Sequence, residues 1–121
     1  HHGASKIVGV DMNESTLEMV REVYAETLGR PYQQPQVSIA RADGRSFLRR
    51  DTGTYDIIQL TGVDTKFVYA SGNLAVHENY LYTLQAFEDY LRHLKPDGVL
   101  SVIYGTDDYV HRLTVTAMLA L

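Results

Sequence analysis

Apolar stretches and stretches with helical spacing alternate along the chain. Three continuous apolar runs and one run of alternating polarity predict four β-strands. Continuous apolar runs are typical of parallel strands that are covered on both faces, so we expect three of the four to be buried. The predicted strands are Lys6–Val10, Gln36–Ala40, Tyr55–Leu60 and Val99–Tyr104.

Two longer segments predict amphipathic helices between these strands. In Glu14–Leu28 and Val76–Leu94, apolar residues recur every three or four positions. Asn13 is a suitable N-cap for the first helix, and Gly29 is expected to end it. The segment Lys95–Gly98 predicts a turn before the last strand. This alternation indicates an α/β fold, with a mostly parallel sheet and helices on both faces.

Composition narrows the class of protein. The chain has 121 residues, 45% of them hydrophobic and 21% charged, which fits a single globular domain over residues 1–121. A net charge of −4 argues against nucleic acid as the main partner. The absence of cysteine excludes disulfides, thiolate zinc sites and a cysteine nucleophile. No histidine pair has metal-binding spacing, so we expect no metal.

Asp11 follows the first predicted strand and precedes a predicted helix. In open α/β sheets, ligands bind at the edge where the strands end. A carboxylate at this position can accept hydrogen bonds from both hydroxyls of a ribose. The alternative is an exposed acid that only helps to start the helix.

Asp43-Gly44 follows the second predicted strand at the same edge of the sheet. An aspartate side chain accepts a hydrogen bond from an exocyclic amine, and glycine lets a flat ring approach the backbone. The alternative is an ordinary Asp-Gly turn. Two acids at consecutive strand ends, one placed for a ribose and one for a base, favour a nucleoside site.

The segment after the third predicted strand leaves from this edge too. It contains Thr61, which offers a hydroxyl, and Asp64, which offers a carboxylate for a substrate amine. The alternative is a solvent-exposed loop of polar residues.

In this order, the segments resemble the class I S-adenosylmethionine-dependent methyltransferase fold. They resemble more closely the spermidine synthase family and its bacterial relatives, which are often fused to membrane segments. The stretches that carry the resemblance cover nearly all of Gly3 to Tyr104: "GASKIVGVDMN", "ARADGRSFL", "YDIIQL", "ENYLYTLQAFEDYLRHLKPDG" and "VLSVIY".

The resemblance implies a Rossmann-like methyltransferase fold and a transferase that moves a methyl or aminopropyl group. The cofactor implied is S-adenosylmethionine or its decarboxylated form. Asp11 would bind the cofactor ribose, and Met12 would lie against the adenine. Asp43 would accept from the adenine amine, with Gly44 beside it.

Two departures from the family pattern affect these expectations. No G-x-G motif occurs in the chain, so we expect an incomplete domain that lacks its first strand, truncated at the N-terminus. The family has an Asp-Ser-Ser-Asp-like segment where this chain has Thr61-Gly62-Val63-Asp64. Threonine is not a general base at neutral pH without activation, so aminopropyl transfer to putrescine is not expected. Thr61 and Asp64 remain the candidate catalytic residues.

Two alternatives stay open: a non-catalytic interaction or dimerisation module, and an NAD-type dinucleotide-binding domain, whose second strand also ends in an acid. A sheet without a central strand exposes edges and apolar surface, so we expect a homo-oligomer. The other partner expected is a small-molecule substrate. The location expected is cytoplasmic, or the cytoplasmic face of a protein whose membrane segments lie elsewhere in the native chain.

Overall fold

The computed structural model describes residues 3–61, 80–103 and 110–121. The chain divides into two compact units, of which the first ends at Phe47 and the second begins at Leu48. Each unit contains a two-stranded parallel sheet. The strand pairs that the structure describes are thus parallel, as the sequence predicted. No helix among the described residues combines the length and hydropathy needed to cross a membrane.

The sheet of the first unit pairs β1 (Ile7–Asp11) with β2 (Val37–Arg41). Both strands lie one residue later than predicted, so Asp11 is the last residue of β1 rather than the first residue after it. Gly9 and Ile39 are register partners, and a Cβ added to Gly9 would lie 2.7 Å from Cδ1 of Ile39. The isoleucine side chain therefore fills the space that glycine leaves.

The segment after β1 is helical but not a single α-helix. It consists of α1 (Glu14–Glu18) and a π-helical stretch (Met19–Val23). Asn13 is the N-cap as predicted, because its side-chain oxygen accepts from the backbone N–H of Thr16 at 3.2 Å. The prediction of one regular helix over Glu14–Leu28 is therefore wrong.

The π-helical stretch changes which side chains are buried. The N–H of Tyr24 donates to the carbonyl of Met19, five residues earlier, at 2.8 Å. This wider turn shifts the apolar face by one position, so that Leu17 and Ala25 are buried while Tyr24 is 45% exposed. Gly29, with a φ of 73°, ends the segment.

A short 3₁₀ turn (Pro31–Gln33) leads into β2. The helix α2 (Gly44–Arg50) follows β2.

The sheet of the second unit pairs β3 (Tyr55–Thr61) with β4 (Leu94–Ile103). β4 begins five residues earlier than Val99, the predicted start, and Tyr104 lies outside the described residues. Tyr55 pairs with Leu94 but Ile57 pairs with Val99, so the four residues 95–98 bulge out opposite a single residue of β3. The predicted turn is thus a bulge inside the strand.

The next helix, α3 (Leu84–Arg92), is shorter than predicted. Thr83 is its N-cap, since the hydroxyl accepts from the N–H of Ala86 at 3.2 Å. A 3₁₀ turn (Tyr80–Tyr82) precedes the cap, and Leu94 belongs to β4. The prediction of a helix over Val76–Leu94 is therefore wrong at both ends within the described residues, and 76–79 lie outside them.

The core of the second unit lies between α3 and the β3–β4 sheet, and α4 (Val110–Ala120) packs against α3. Ala86, Phe87 and Tyr90 are almost fully buried, and the two aromatic rings meet edge to face at 5.9 Å. The other face of the sheet is less buried than the apolar runs predicted. Ile57 is 63% exposed and its register partner Val99 is 55% exposed.

Candidate functional site

The two acids that the sequence predicts to bind a nucleoside lie at the carboxyl ends of β1 and β2. Asp11 ends β1, and Asp43 follows β2 by two residues. The N–H of Ala42 donates to the carbonyl of Asp11 at 3.1 Å, which continues the ladder past the last register pair. Both acids and their neighbours Met12 and Gly44 therefore lie at one edge of the first unit's sheet.

Asp11 is exposed and has a local structural role. Its Oδ1 accepts from the N–H of Asn13 at 2.7 Å, which orders the turn before α1. Its second carboxylate oxygen has no hydrogen-bond partner within the described part of the chain. The helix-starting role and the ligand role thus require different oxygens of the same side chain.

Asp43 is half-buried and caps α2. Its Oδ1 accepts from the N–H of Ser46 at 2.7 Å, and its carbonyl accepts from Phe47 at 2.8 Å. As in Asp11, the second carboxylate oxygen has no partner among residues that the structure describes. Gly44 is the first residue of the helix, directly after this carboxylate.

Met12 adds an apolar surface to this edge. Its side chain is 65% exposed, although methionine is usually buried. Because it follows Asp11 directly, the thioether is available to a flat apolar ring near that acid.

An ion pair that the sequence analysis missed joins the start of α1 to the end of β2. Arg41, the register partner of Asp11, places its Nη1 2.5 Å from Oε2 of Glu14. Glu14 and Arg41 are 27 residues apart, and only the parallel register brings them together. The local sequence contains no signal for this contact.

Thr61 is the last residue of β3, in the second unit, and its side chain is exposed. Its Oγ1 accepts from Nε2 of Gln59 at 2.8 Å. The sequence analysis gave Gln59 no role, although residues two apart on a strand share a face. Asp64, the other candidate catalytic residue, lies outside the described residues, as do Gly62 and Val63.

No protein-family model matches the chain. A search by sequence and a search by structure each find a similar protein. Over 102 residues, the chain is 28% identical to polyamine aminopropyltransferase 2 of Pseudomonas aeruginosa, covering 84% of this chain and 27% of that protein. Its structure matches that of spermidine synthase from Thermotoga maritima with a TM-score of 0.70 and 19% identity. That match covers 99% of this chain and 37% of the other.

The chain therefore spans only about a quarter of the curated relative that it matches. The structural match establishes the fold, and the sequence match agrees with the resemblance carried by the motifs around Asp11 and Asp43. On this evidence the chain has a Rossmann-like methyltransferase fold that is similar to that of spermidine synthase, and a sequence that is similar to that of a polyamine aminopropyltransferase.

Proposed function

We propose that the chain binds the adenosine end of S-adenosylmethionine or its decarboxylated form, as part of a transferase that acts on a small-molecule acceptor. One observation carries this proposal: Asp11 ends β1, Asp43 follows the paired parallel strand β2 by two residues, and each has a carboxylate oxygen with no partner in the described residues. The name of the matched Pseudomonas aeruginosa protein, an aminopropyltransferase, agrees with it.

The chemistry of adenosine fits two acids at this edge. A ribose has two adjacent hydroxyl donors, and the free oxygen of Asp11 accepts from them. The exocyclic amine of adenine donates to Asp43. Each hydrogen bond to a charged acceptor contributes about 1.5–3 kcal/mol. Met12 would pack against the adenine ring, and Gly44 would let the ring approach the backbone.

Thr61 and Asp64 are the residues that we propose for the acceptor side. In aminopropyl transfer, a neutral amine nitrogen forms a bond to the propyl carbon. The carbon–sulfur bond breaks, and the sulfonium becomes the neutral thioether of methylthioadenosine. The amine must first lose a proton to a base. A carboxylate at Asp64 attracts the cationic amine, but the Thr61 hydroxyl does not take its proton at neutral pH.

Calorimetry with methylthioadenosine tests the nucleoside site. Asp11→Asn keeps an oxygen for the N–H of Asn13 but removes the charge, so we expect about a tenfold or greater loss of affinity. The matched control is Glu22→Gln, which changes an exposed acid on the π-helical stretch and should bind like the wild type. Absence of binding by the wild type, or unchanged binding by Asp11→Asn, would contradict the proposal. Preference for NAD would instead support a dinucleotide-binding domain.

A second candidate function, an association module, is favoured by α4. On this helix Val115, Met118 and Leu119 are 55%, 68% and 72% exposed. Apolar side chains at this spacing form a stripe that another protein surface can cover. Light scattering distinguishes the two functions, since self-association that Met118→Lys abolishes, without any nucleoside binding, would support the association module.

A further inference from the structure

Asp11 and Arg41 are register partners at the last position of the β1–β2 ladder. Neighbouring strands lie about 4.8 Å apart, and paired residues project to the same face of a sheet. Arginine and aspartate side chains that meet frequently form a bidentate ion pair. No ion pair joins these two residues in the structure, and Arg41 contacts Glu14 instead.

Local structure explains why Glu14 is within reach of Arg41. Asn13 caps α1 immediately after the turn that Asp11 orders, so Glu14 begins the helix close to the end of β1. An acid in the first helical turn is also favoured by the helix dipole. Arg41 at the end of β2 then reaches the carboxylate across the ladder, with 2.5 Å between Nη1 and Oε2.

This ion pair is exposed, with 61% of the Arg41 side chain and 55% of the Glu14 side chain accessible. Exposed pairs add little to folding stability. The pair does, however, determine the direction of the Arg41 guanidinium, whose register partner is Asp11. Its consequence therefore concerns Asp11 rather than the stability of the fold.

We propose that Glu14 is a positioning residue that holds Arg41 away from Asp11, so that the second carboxylate oxygen of Asp11 stays available for a ribose. This inference rests on the proposed function. Without Glu14, the guanidinium turns to the carboxylate of its register partner and donates to the oxygen that the ribose hydroxyls need. Arg41 then competes with the ligand.

A double-mutant cycle with methylthioadenosine tests this inference. Glu14→Gln should weaken binding by about 1.5-fold to fivefold, the range that corresponds to the free energy of an exposed ion pair. Arg41→Ala should bind like the wild type, and Glu14→Gln/Arg41→Ala should regain wild-type affinity. A purely structural role predicts that the double variant binds as weakly as Glu14→Gln or more weakly. Glu18→Gln, on the same helix, is the matched control.

A second measurement does not depend on the ligand. NMR couplings across hydrogen bonds should connect the Arg41 guanidinium to the Glu14 carboxylate in the wild type, and to the Asp11 carboxylate in Glu14→Gln. If Arg41 does not move to Asp11 in this variant, the inference is wrong. If the wild type binds no methylthioadenosine but the coupling does move, the proposed function fails while the competition between the two acids for Arg41 stands.

Discussion

Gly98 lies against Tyr55: a Cβ added to Gly98 would come within 3.0 Å of the main-chain oxygen of Tyr55. The contact arises at the bulge, where four residues of β4 face the single residue Asp56. Lys95, at the start of the bulge, donates to both carboxylate oxygens of Asp56 at 2.8 Å. The bulge is thus closed by a backbone approach on one side and an ion pair on the other.

Gly98→Ala should therefore destabilise the second unit by about 1–3 kcal/mol, because the added methyl meets backbone that cannot move aside. Urea unfolding measures the loss. Gly53→Ala is the matched control: its Cβ would lie nearest to Oδ2 of the Asp51 side chain, at 3.1 Å, rather than to a backbone atom. A Gly98→Ala variant as stable as the wild type would show that the bulge tolerates a side chain at this position.

Two substitutions of Asp43 should separate its role as a helix cap from its proposed role in ligand binding. Asp43→Ala removes the acceptor for the N–H of Ser46 and should cost about 0.5–2 kcal/mol of stability. Asp43→Asn keeps a capping oxygen, so its stability should stay near that of the wild type, and it can still accept from an adenine amine. Thermal unfolding measures the first effect and calorimetry the second. A stable Asp43→Ala variant would contradict the capping role.

Tyr55 should titrate at unusually high pH. Burial raises the pKa of its phenol to about 12, and the hydrogen bond to Asp51 and the negative charge of that residue act in the same direction. The folded chain holds this proton more tightly than the unfolded chain, whose tyrosines titrate near 10.0. The resulting stability is complete below about pH 10 and is lost as the pH rises through about 12.

The measurement is a difference titration of phenolate absorbance between the wild type and Tyr55→Phe. Tyr24→Phe, at a 45% exposed position, is the control. A titration of Tyr55 near pH 10 would show that the Asp51 contact does not form.

His93 links the end of α3 to the loop before β3. Its Nδ1 lies 2.7 Å from the carbonyl oxygen of Asp89, and its Nε2 lies 3.0 Å from that of Asp51. His93→Phe removes the ring N–H that donates to one of these carbonyls and should cost about 1–3 kcal/mol, whereas His93→Gln keeps an N–H donor and should cost less. Thermal denaturation compares the two, with His111→Phe on the exposed side of α4 as control. Identical melting of His93→Phe and wild type would rule out the link.

The threonine at position 61 should prevent aminopropyl transfer to putrescine. With decarboxylated S-adenosylmethionine and putrescine, we expect no methylthioadenosine release by the wild type, because no carboxylate stands at Thr61 to accept the proton of the amine. Release by Thr61→Asp alone would indicate a relative that has changed its acceptor. Thr61→Ser is the control that keeps the hydroxyl. Turnover by the wild type would contradict the prediction, and chromatography detects the product in each case.

The features that the sequence determined are those whose causes lie within a few residues. Asn13 caps α1 through an N–H three residues away, and Asp43 caps α2 in the same manner. Both caps depend on side-chain oxygens next to the first helical turn. Strand formation also has local causes. The first three strands begin within one residue of their predicted starts, and β4 contains its predicted start but begins earlier.

Tertiary structure decided the features that depend on distant partners. The bulge in β4 follows from its register with β3. The apolar run from Val99 onwards does not indicate which residues of β3 it pairs with. The π-helical stretch places Ala25 rather than Tyr24 in the core, which regular helical spacing does not anticipate. The contact between Glu14 and Arg41 exists because parallel pairing of β1 and β2 brings together residues far apart in the chain. Local propensity acts over a few bonds, whereas register, packing and ion pairing depend on which segments become neighbours when the chain folds.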